Sequence, residues 1–430
     1  MKVLIVSHND PRLHPGGTEI FAHGLFRAFN AGTGAEAWFL AGVNALHRQR
    51  RPGTALQALP GAGPREFLLW CGHYDMLCHS QVDGLGVFPE FEELLRDLRP
   101  DVVHFHHFLL IGLEAFRVVR RVLPEARIVL TVHDYHLLCP NDGLLATPDG
   151  DLCAGPSPDA CPRCRPELTP IAIVLKDRYA KTLLSCVDTL IAPSRFLARQ
   201  LVDWGVDPGR IVHLPNGHDL DPATAAPARP LPPDGKRSSF AVFGNQNRHK
   251  GTLVALDAAR RLVAAGRRDF TLHLHGSPVF QDDDFKQALT AALEPLAGIV
   301  IAHGRYTAAD LSRRMATADW VIVPSRWYEN APLTIQEAFH HGRPVLCSDI
   351  GGMAEAVRAD HDGLHFTAGD PAALAEAMVR AMDTPGLWDT LRDQRPAVRA
   401  MSACAAEHLA LYDALGAASR QDAPPVGAPA

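Results

Sequence analysis

The chain has 430 residues, 47% of them hydrophobic, and its 42 Lys and Arg against 48 Asp and Glu leave a formal net charge of −6. That length accommodates two domains of about 200 residues each, and the mildly acidic balance gives no footing for nucleic acid as a partner. No apolar run reaches membrane-spanning length, and nine cysteines without other signs of secretion point to thiols or metal ligands over disulfides.

The opening Met1-Lys-Val-Leu-Ile-Val6 turns polar too quickly for a signal peptide. It reads as a first buried strand, so a cytoplasmic protein is the expectation. Short apolar runs at 3–6, 37–40, 102–105, 128–132, 190–192 and 211–214 read as strands. Helical patterns cover 18–30, 91–98, 113–122, 171–186 and 195–204. Such alternation predicts a parallel sheet with helices on both faces. The pattern stops at Leu214-Pro-Asn-Gly217, and residues 219–239, rich in Pro and Ala, read as a linker. It restarts with strands at 240–243, 271–275, 299–303, 320–323, 344–347 and 364–366, and helices at 252–265, 284–293, 308–316 and 372–382. A last helix is expected over 396–415 and a disordered tail over 416–430. The predicted fold class is α/β: two doubly wound, Rossmann-like domains, 1–218 and 240–395, facing an interdomain cleft. Ligands of such sheets bind beyond the carboxyl ends of the strands.

The densest chemistry lies in Glu329-Asn-Ala-Pro-Leu-Thr-Ile-Gln-Glu337-Ala338. Val321-Ile-Val323 precedes it as a buried strand. Pro332 suits a first helical position, which puts Glu329 in the loop and Glu337 in the second helical turn. Free amides at that positive helix end form an anion site with a carboxylate on either side. The plainer reading is two acids complementing a helix dipole. Downstream, Gly342-Arg-Pro-Val-Leu-Cys-Ser-Asp-Ile-Gly351-Gly352 gives a helix stop, a buried strand and a glycine pair that lets backbone approach a ligand closely.

Four further groups stand out. Pro15-Gly16-Gly17-Thr18-Glu19 lies at the first helix entrance, as a phosphate-facing loop or simply a flexible one. It is not the Gly-x-Gly-x-x-Gly fingerprint of a nicotinamide enzyme. Phe243-Gly-Asn-Gln-Asn-Arg-His-Lys250-Gly251 offers Lys250 to a phosphate, or is a solvated basic loop. Thr131-Val-His133-Asp134-Tyr-His136 ends a strand, beside a second histidine-rich strand end at His104, His106 and His107. That second group reads as acceptor-side lining or as structure. Cys139, Cys153, Cys161 and Cys164 include one Cys-x-x-Cys knuckle, a candidate for structural zinc against free thiols or a redox pair. Asp282-Asp283-Asp284 contains Asp-x-Asp but reads as the acidic first turn of a helix.

Residues 324–357 resemble the donor site of retaining glycosyltransferase family 4, which has the GT-B fold. The match includes both glutamates at the family's spacing, the Gly-x-Pro strand entry (Gly342, Pro344) and the Gly-Gly-x-x-Glu turn (Gly351, Gly352, Glu355). The resemblance extends from Val3 to about Leu415. It implies retention of anomeric configuration, no required divalent ion, and a terminal helix crossing back onto the first domain. By resemblance Glu337 accepts from the ribose hydroxyls, while Glu329 and the backbone around Asn330 and Ala331 hold the sugar. The backbone of Leu333 and Thr334 cradles phosphate. Lys250 stabilises the departing diphosphate; the approximate place of a family arginine holds Asn245, so either Arg248 stands in for it or that contact is neutral. Gly16 and Gly17 face the donor phosphates and the acceptor, and His133 contacts the transferred sugar.

The resemblance further implies a nucleotide-diphosphate-sugar donor and a glycan or lipid-linked acceptor in cell-surface polysaccharide synthesis. The acceptor hydroxyl attacks from the leaving-group face and a phosphate oxygen takes its proton. Phe67-Leu-Leu-Trp70 and residues 171–184 offer an apolar, partly basic face for peripheral contact at the inner side of a membrane, or else pack in the core. Two other classes fit the two-domain plan. A nucleotide-sugar 2-epimerase would convert donor without acceptor; a non-catalytic nucleotide-sugar-binding protein would neither transfer nor hydrolyse it.

Overall fold

A computed structural model describes residues 1–279 and 281–421. The first half contains β1 (Lys2–Ser7), α1 (Gly17–Asn30), β2 (Glu36–Val43), β3 (Leu56–Gln57), β4 (Glu66–Trp70), β5 (Tyr74–Asp75), β6 (Ser80–Gln81) and α2 (Gly84–Leu98). It continues through β7 (Val102–Phe105), α3 (Glu114–Val122), β8 (Arg127–Thr131), α4 (Cys161–Cys164), α5 (Pro170–Leu184), β9 (Thr189–Ala192), α6 (Arg195–Asp203) and β10 (Ile211–His213). The second half begins with β11 (Ser239–Phe243), α7 (Thr252–Ala264), β12 (Thr271–His275), α8 (Asp283–Leu293), β13 (Val300–Gly304), α9 (Leu311–Met315) and β14 (Trp320–Val323). It ends with α10 (Leu333–His340), β15 (Val345–Ser348), α11 (Gly351–Ala356), β16 (Gly363–Phe366), α12 (Pro371–Asp383), α13 (Leu387–Gln394) and α14 (Met401–Gln421).

The first sheet runs β10-β9-β8-β7-β1-β2-β4-β3, parallel except for the β3–β4 edge pair. The second runs β13-β12-β11-β14-β15-β16 and is parallel throughout. Central strands are apolar end to end because helices cover both faces; residues 3–6 and 320–323 are wholly buried. These are the two Rossmann-like halves of a GT-B fold, each with a core on either side of its sheet.

α14 returns to the first half. Met401, Cys404, Ala405 and Tyr412 share a core with Phe21, Leu25 and Phe29 of α1. His104 is fully buried there, with Nδ1 2.6 Å from the Tyr412 hydroxyl and Nε2 2.7 Å from Thr131 Oγ1. It is therefore core and not acceptor lining. The linker is bound to the second half. Arg343, buried between Gly342 and Pro344, donates to the carbonyls of Ala226 (3.1 Å) and Pro227 (2.6 Å).

Several elements differ from the sequence reading. Residues 67–70 are strand β4, with Leu68 and Leu69 buried, so they form no membrane face. β3, β5 and β6 are two residues each, too short to carry a period. α2 begins at Gly84 behind an Asp83 cap and contains Pro89, which breaks the pattern that placed its start at 91. α14 runs to Gln421, so 416–421 is helical, while the rest of the expected tail, 422–430, lies outside the described residues. Among the described residues no helix is long and apolar enough to cross a membrane.

Candidate active site between the two halves

β14 delivers the chain to a loop at the carboxyl edge of the second sheet, and α10 leaves from it. Pro332 is the N-cap and Leu333 the first helical residue, one position later than the sequence reading placed the start. A proline suits this place too, since Ile335 N donates back to its carbonyl at 3.1 Å. The amides of Leu333 and Thr334 then have no acceptor among the described residues, at the positive end of the helix.

Glu329 is 6% exposed, yet one oxygen is saturated. Its Oε1 accepts from Lys250 Nζ at 2.6 Å, Ser325 Oγ at 2.7 Å and Trp327 Nε1 at 2.9 Å. Burial works to raise its pKa, but the Lys250 charge and these bonds outweigh it and hold the carboxyl below the usual range. Oε2 carries none of the three bonds. Lys250 reaches this point because Gly251 packs directly on the Pro324 carbonyl at φ +70; any Cβ there would overlap that oxygen.

Asn330, 8% exposed, spends its side chain across the cleft. Its Oδ1 accepts from Ser194 Oγ at 2.5 Å, and its Nδ2 donates to the carbonyls of Val132 and His133, each at 3.2 Å. Glu355 makes a second tie, accepting from Arg195 N at 2.7 Å and pairing with Arg199 at 3.2 Å. Gly352 packs against the Asn330 carbonyl, where a Cβ would overlap it, and its amide donates to Glu329 O at 2.7 Å. The glycine pair therefore fixes the 329–330 backbone, and Gly352 also lines the cavity between the halves. A cavity of about 440 Å³ lies between the halves, lined by Ser194, Arg195 and Asn216 on one side and Ala331, Gln336 and Glu355 on the other.

Glu337 stands 3.6 Å from Nε2 of His218, the last residue before the linker, with its side chain 18% exposed. Its charge also acts on Tyr306, whose phenol burial already pushes up. Gly17 faces α10 from the first half: a Cβ there would stand 3.8 Å from Leu333 Cδ1. Behind it Glu19 is buried and paired with His8 at 3.0 Å.

His133 stands 3.1 Å from His106 Nδ1 through its Nε2, and burial pushes its pKa down to about 3. His106 and His107 are themselves buried, so they back His133 and do not line a surface. His107 Nδ1 accepts from the amides of Phe108 and Leu109, at 3.0 and 3.1 Å, so its proton sits on Nε2 and donates to Asp134 at 2.7 Å. His136 pairs with the other Asp134 oxygen at 2.9 Å. This trio is a proton-bearing network, which its fixed tautomer makes a poor metal site.

Arg248 does not join Lys250. It is exposed, 3.2 Å from Asp282, with its guanidinium 5.5 Å from the Phe285 ring. Asn245 is also exposed. Lys250 is thus the cation brought to Glu329, while Arg248 stands on the surface beside Asp282. Asp282 caps α8, accepting from Phe285 N at 2.6 Å. The four cysteines share one loop region, and charge on Cys153 or Cys161 would raise both Cys139 and Cys164. No three of their sulfurs lie within 4.8 Å of one another. Cys139 points to Asn141 O at 3.7 Å and Cys153 to Gly155 O at 3.3 Å.

Sequence reasoning missed Ser325, Trp327 and Ser194. The first two stand four and two residues before Glu329, and that proximity was the available signal. Ser194 pairs with a residue 136 positions away, which leaves no local trace.

Solved structures define the class. Sucrose-phosphate synthase from Thermosynechococcus elongatus superposes with a TM-score of 0.69 at 20% identity, covering 97% of this chain and 100% of that one. The Anabaena HepE protein in complex with UDP-glucose gives 0.62 at 16% identity, covering 98% and 100%. These likenesses establish a GT-B fold. Residues 15–222 match the family model for Glycosyltransferase Family 4, and residues 237–384 the one for Glycosyl transferases group 1. The chain belongs to this glycosyltransferase family. D-inositol 3-phosphate glycosyltransferase of Acidothermus cellulolyticus is 32% identical over 217 residues, 48% of each chain. Glycogen synthase of Halorhodospira halophila is 32% identical over 248 residues, 47% of this chain and 50% of its own. The chain spans about half the length of the curated relatives it matches.

Proposed function

We propose that the protein transfers a sugar, with retention of configuration, from a nucleotide-diphosphate-sugar to a hydroxyl of a glycan or lipid-linked acceptor in cell-surface polysaccharide synthesis. The observation that carries this reading is the ion pair of buried Glu329 with Lys250 beside two free amides at the start of α10. In this reading the amides of Leu333 and Thr334 receive phosphate. Lys250, with its side chain 37% exposed, shifts part of its bond from Glu329 to the departing diphosphate. Glu329 Oε2 and the backbone of Asn330 and Ala331 hold the sugar; the Asn330 side chain is already committed to the first half. Glu337 accepts from ribose, and the Gly16–Gly17 loop closes over the phosphates. The anomeric bond to phosphate breaks, the acceptor oxygen bonds to the same carbon, and its proton passes to a phosphate oxygen. His133 enters as a neutral ring against the sugar.

The HepE complex with UDP-glucose supports a nucleotide-sugar donor for this cleft. Peripheral membrane contact at the cytoplasmic face is supported by α5, where Ile171, Val174 and Leu175 are exposed near Arg178 and Lys181. The reaction as proposed uses no catalytic metal, and the cysteine quartet is proposed as a structural zinc site that stiffens the acceptor-side loop. A thermal-shift panel of UDP, GDP, TDP and ADP, followed by sugar variants of the stabilising nucleotide, tests the donor. Transfer assays then separate this reading from a 2-epimerase, which would convert the donor with no acceptor present. Failure of all four nucleotides to stabilise the protein overturns the reading.

A further inference from the structure

The second half carries three histidines that the cleft does not use. His273 and His275 are two apart on β12, so their side chains share one face of the sheet. His303 stands beside them on β13, an edge strand. A register shift between Leu274 and His275 sets His275 opposite Gly304 and leaves His303 between the two β12 rings. The His275 and His303 rings are stacked at 4.4 Å and 17°, and those of His273 and His303 at 5.1 Å and 27°. His273 Nδ1 lies 2.8 Å from His303 Nε2. One nitrogen from each ring falls within 4.8 Å of the other two.

This stack does not satisfy itself. Two nitrogens 2.8 Å apart share one proton, while His275, 1% exposed, keeps Nδ1 without a hydrogen-bond partner. A buried polar atom without a partner calls for an explanation, and an ion is among the usual ones. Burial favours the neutral ring at all three positions, the form of imidazole that binds metals. The group contains no carboxylate and no thiolate. An all-imidazole set suits zinc, copper or nickel over magnesium or calcium.

We propose that His273, His275 and His303 form a binding site for a divalent transition-metal ion of the zinc class, joining edge strand β13 to β12. The fourth position is left to water or an anion. Arg229 and Arg314, whose charges act on these rings, favour the anion. The site is structural, a staple on an otherwise open sheet edge, and stands independently of the transfer reading.

The test uses the full chain without a histidine tag, stripped with EDTA. Zinc is measured by equilibrium dialysis with elemental analysis, and cobalt by its visible spectrum. The wild type is expected to bind one more equivalent of zinc than His273→Gln/His303→Gln. Zinc should raise the wild-type melting temperature and leave that of the double variant unchanged. The cobalt bands lost in the variant should lack thiolate charge transfer, which separates this site from the cysteine loop. Should the double variant fail to fold, His303→Gln alone, on the edge strand, is expected to weaken binding at least about tenfold. Equal stoichiometry and affinity in wild type and variants, or a cobalt spectrum wholly of thiolate type, overturns the proposal.

Discussion

At the carboxyl end of β8 the first half gathers His133, Asp134 and His136, backed by His106 and His107 from β7. At the carboxyl end of β14 the second half gathers Ser325, Trp327 and Glu329, joined by Lys250. Both groups sit where parallel sheets place their ligands, but they are built from opposite materials. The first is mostly neutral rings, with one carboxylate already bonded to two of them. The second is an ion pair with an unused oxygen beside a positive helix end. In the reading proposed above, the diphosphate takes the fixed charge and free amides that the second half supplies. In that reading the first half offers a neutral wall against the far side of a sugar held by Glu329.

The sharpest way to break this comparison is to remove charge from the second half. Glu337→Ala is expected to weaken nucleotide-sugar binding at least about 100-fold, because two charged hydrogen bonds are lost together. Isothermal calorimetry giving near-normal affinity would move ribose recognition elsewhere. Lys250→Ala should lower turnover about 100-fold while changing donor affinity much less, since its partner is the charge that develops on departure. It also strands Glu329, so Lys250→Ala should be less stable than Lys250→Ala/Glu329→Gln. With Lys250 partly exposed, that gap is expected to be only about 1 kcal/mol in urea titrations. Glu329→Gln alone should weaken sugar-bearing donors about tenfold more than the bare nucleotide diphosphate. Equal losses for both would remove Glu329 from the sugar.

The central strands were legible because burial on both faces writes them as unbroken apolar runs, as at 3–6 and 320–323. The loop from 324 to α10 was legible because its acids, its proline and the following helix lie together in sequence. What stayed hidden depends on distant partners. Nothing near Asn330 signals Ser194, and nothing near Arg248 signals that Asp282 and Phe285 will hold it away from Lys250. The strand end at His104 did carry a signal: it lies within Val102-Val103-His104-Phe105, where a strand covered on both faces buries every side chain. Its hydrogen bond to Tyr412 of α14, 308 residues on, could not be read locally.

Acid should weaken both halves, last and most gently among these effects, since burial in the second half also lowers His275 to about 3 and His273 and His341 to about 4. In the first half, burial lowers His79 and His133 to about 3, His107 and His408 to about 4, and His104 and His106 well below the ordinary 6.5. A depressed histidine pKa means that the unfolded chain binds more protons between pH 6.5 and about 4. Stability is therefore full above pH 6.5 and falls as the pH drops through that window. His136 runs the other way: Asp134 outweighs burial and raises it, so its contribution is present in acid and fades as the pH rises past its folded value. It is one group against these six, with His47 and His213 lowered as well, so the net slope is loss on acidification, at most about 1.4 kcal/mol per pH unit for each fully titrating ring. Urea midpoints followed across this range, with the tryptophans of each half as separate probes, should fall for both halves. His106→Gln, which removes one buried titrating ring, should flatten the slope. A midpoint independent of pH from 6.5 to 4 would mean that these rings take up protons as readily folded as unfolded, and the neutral wall at β8 would fail with it.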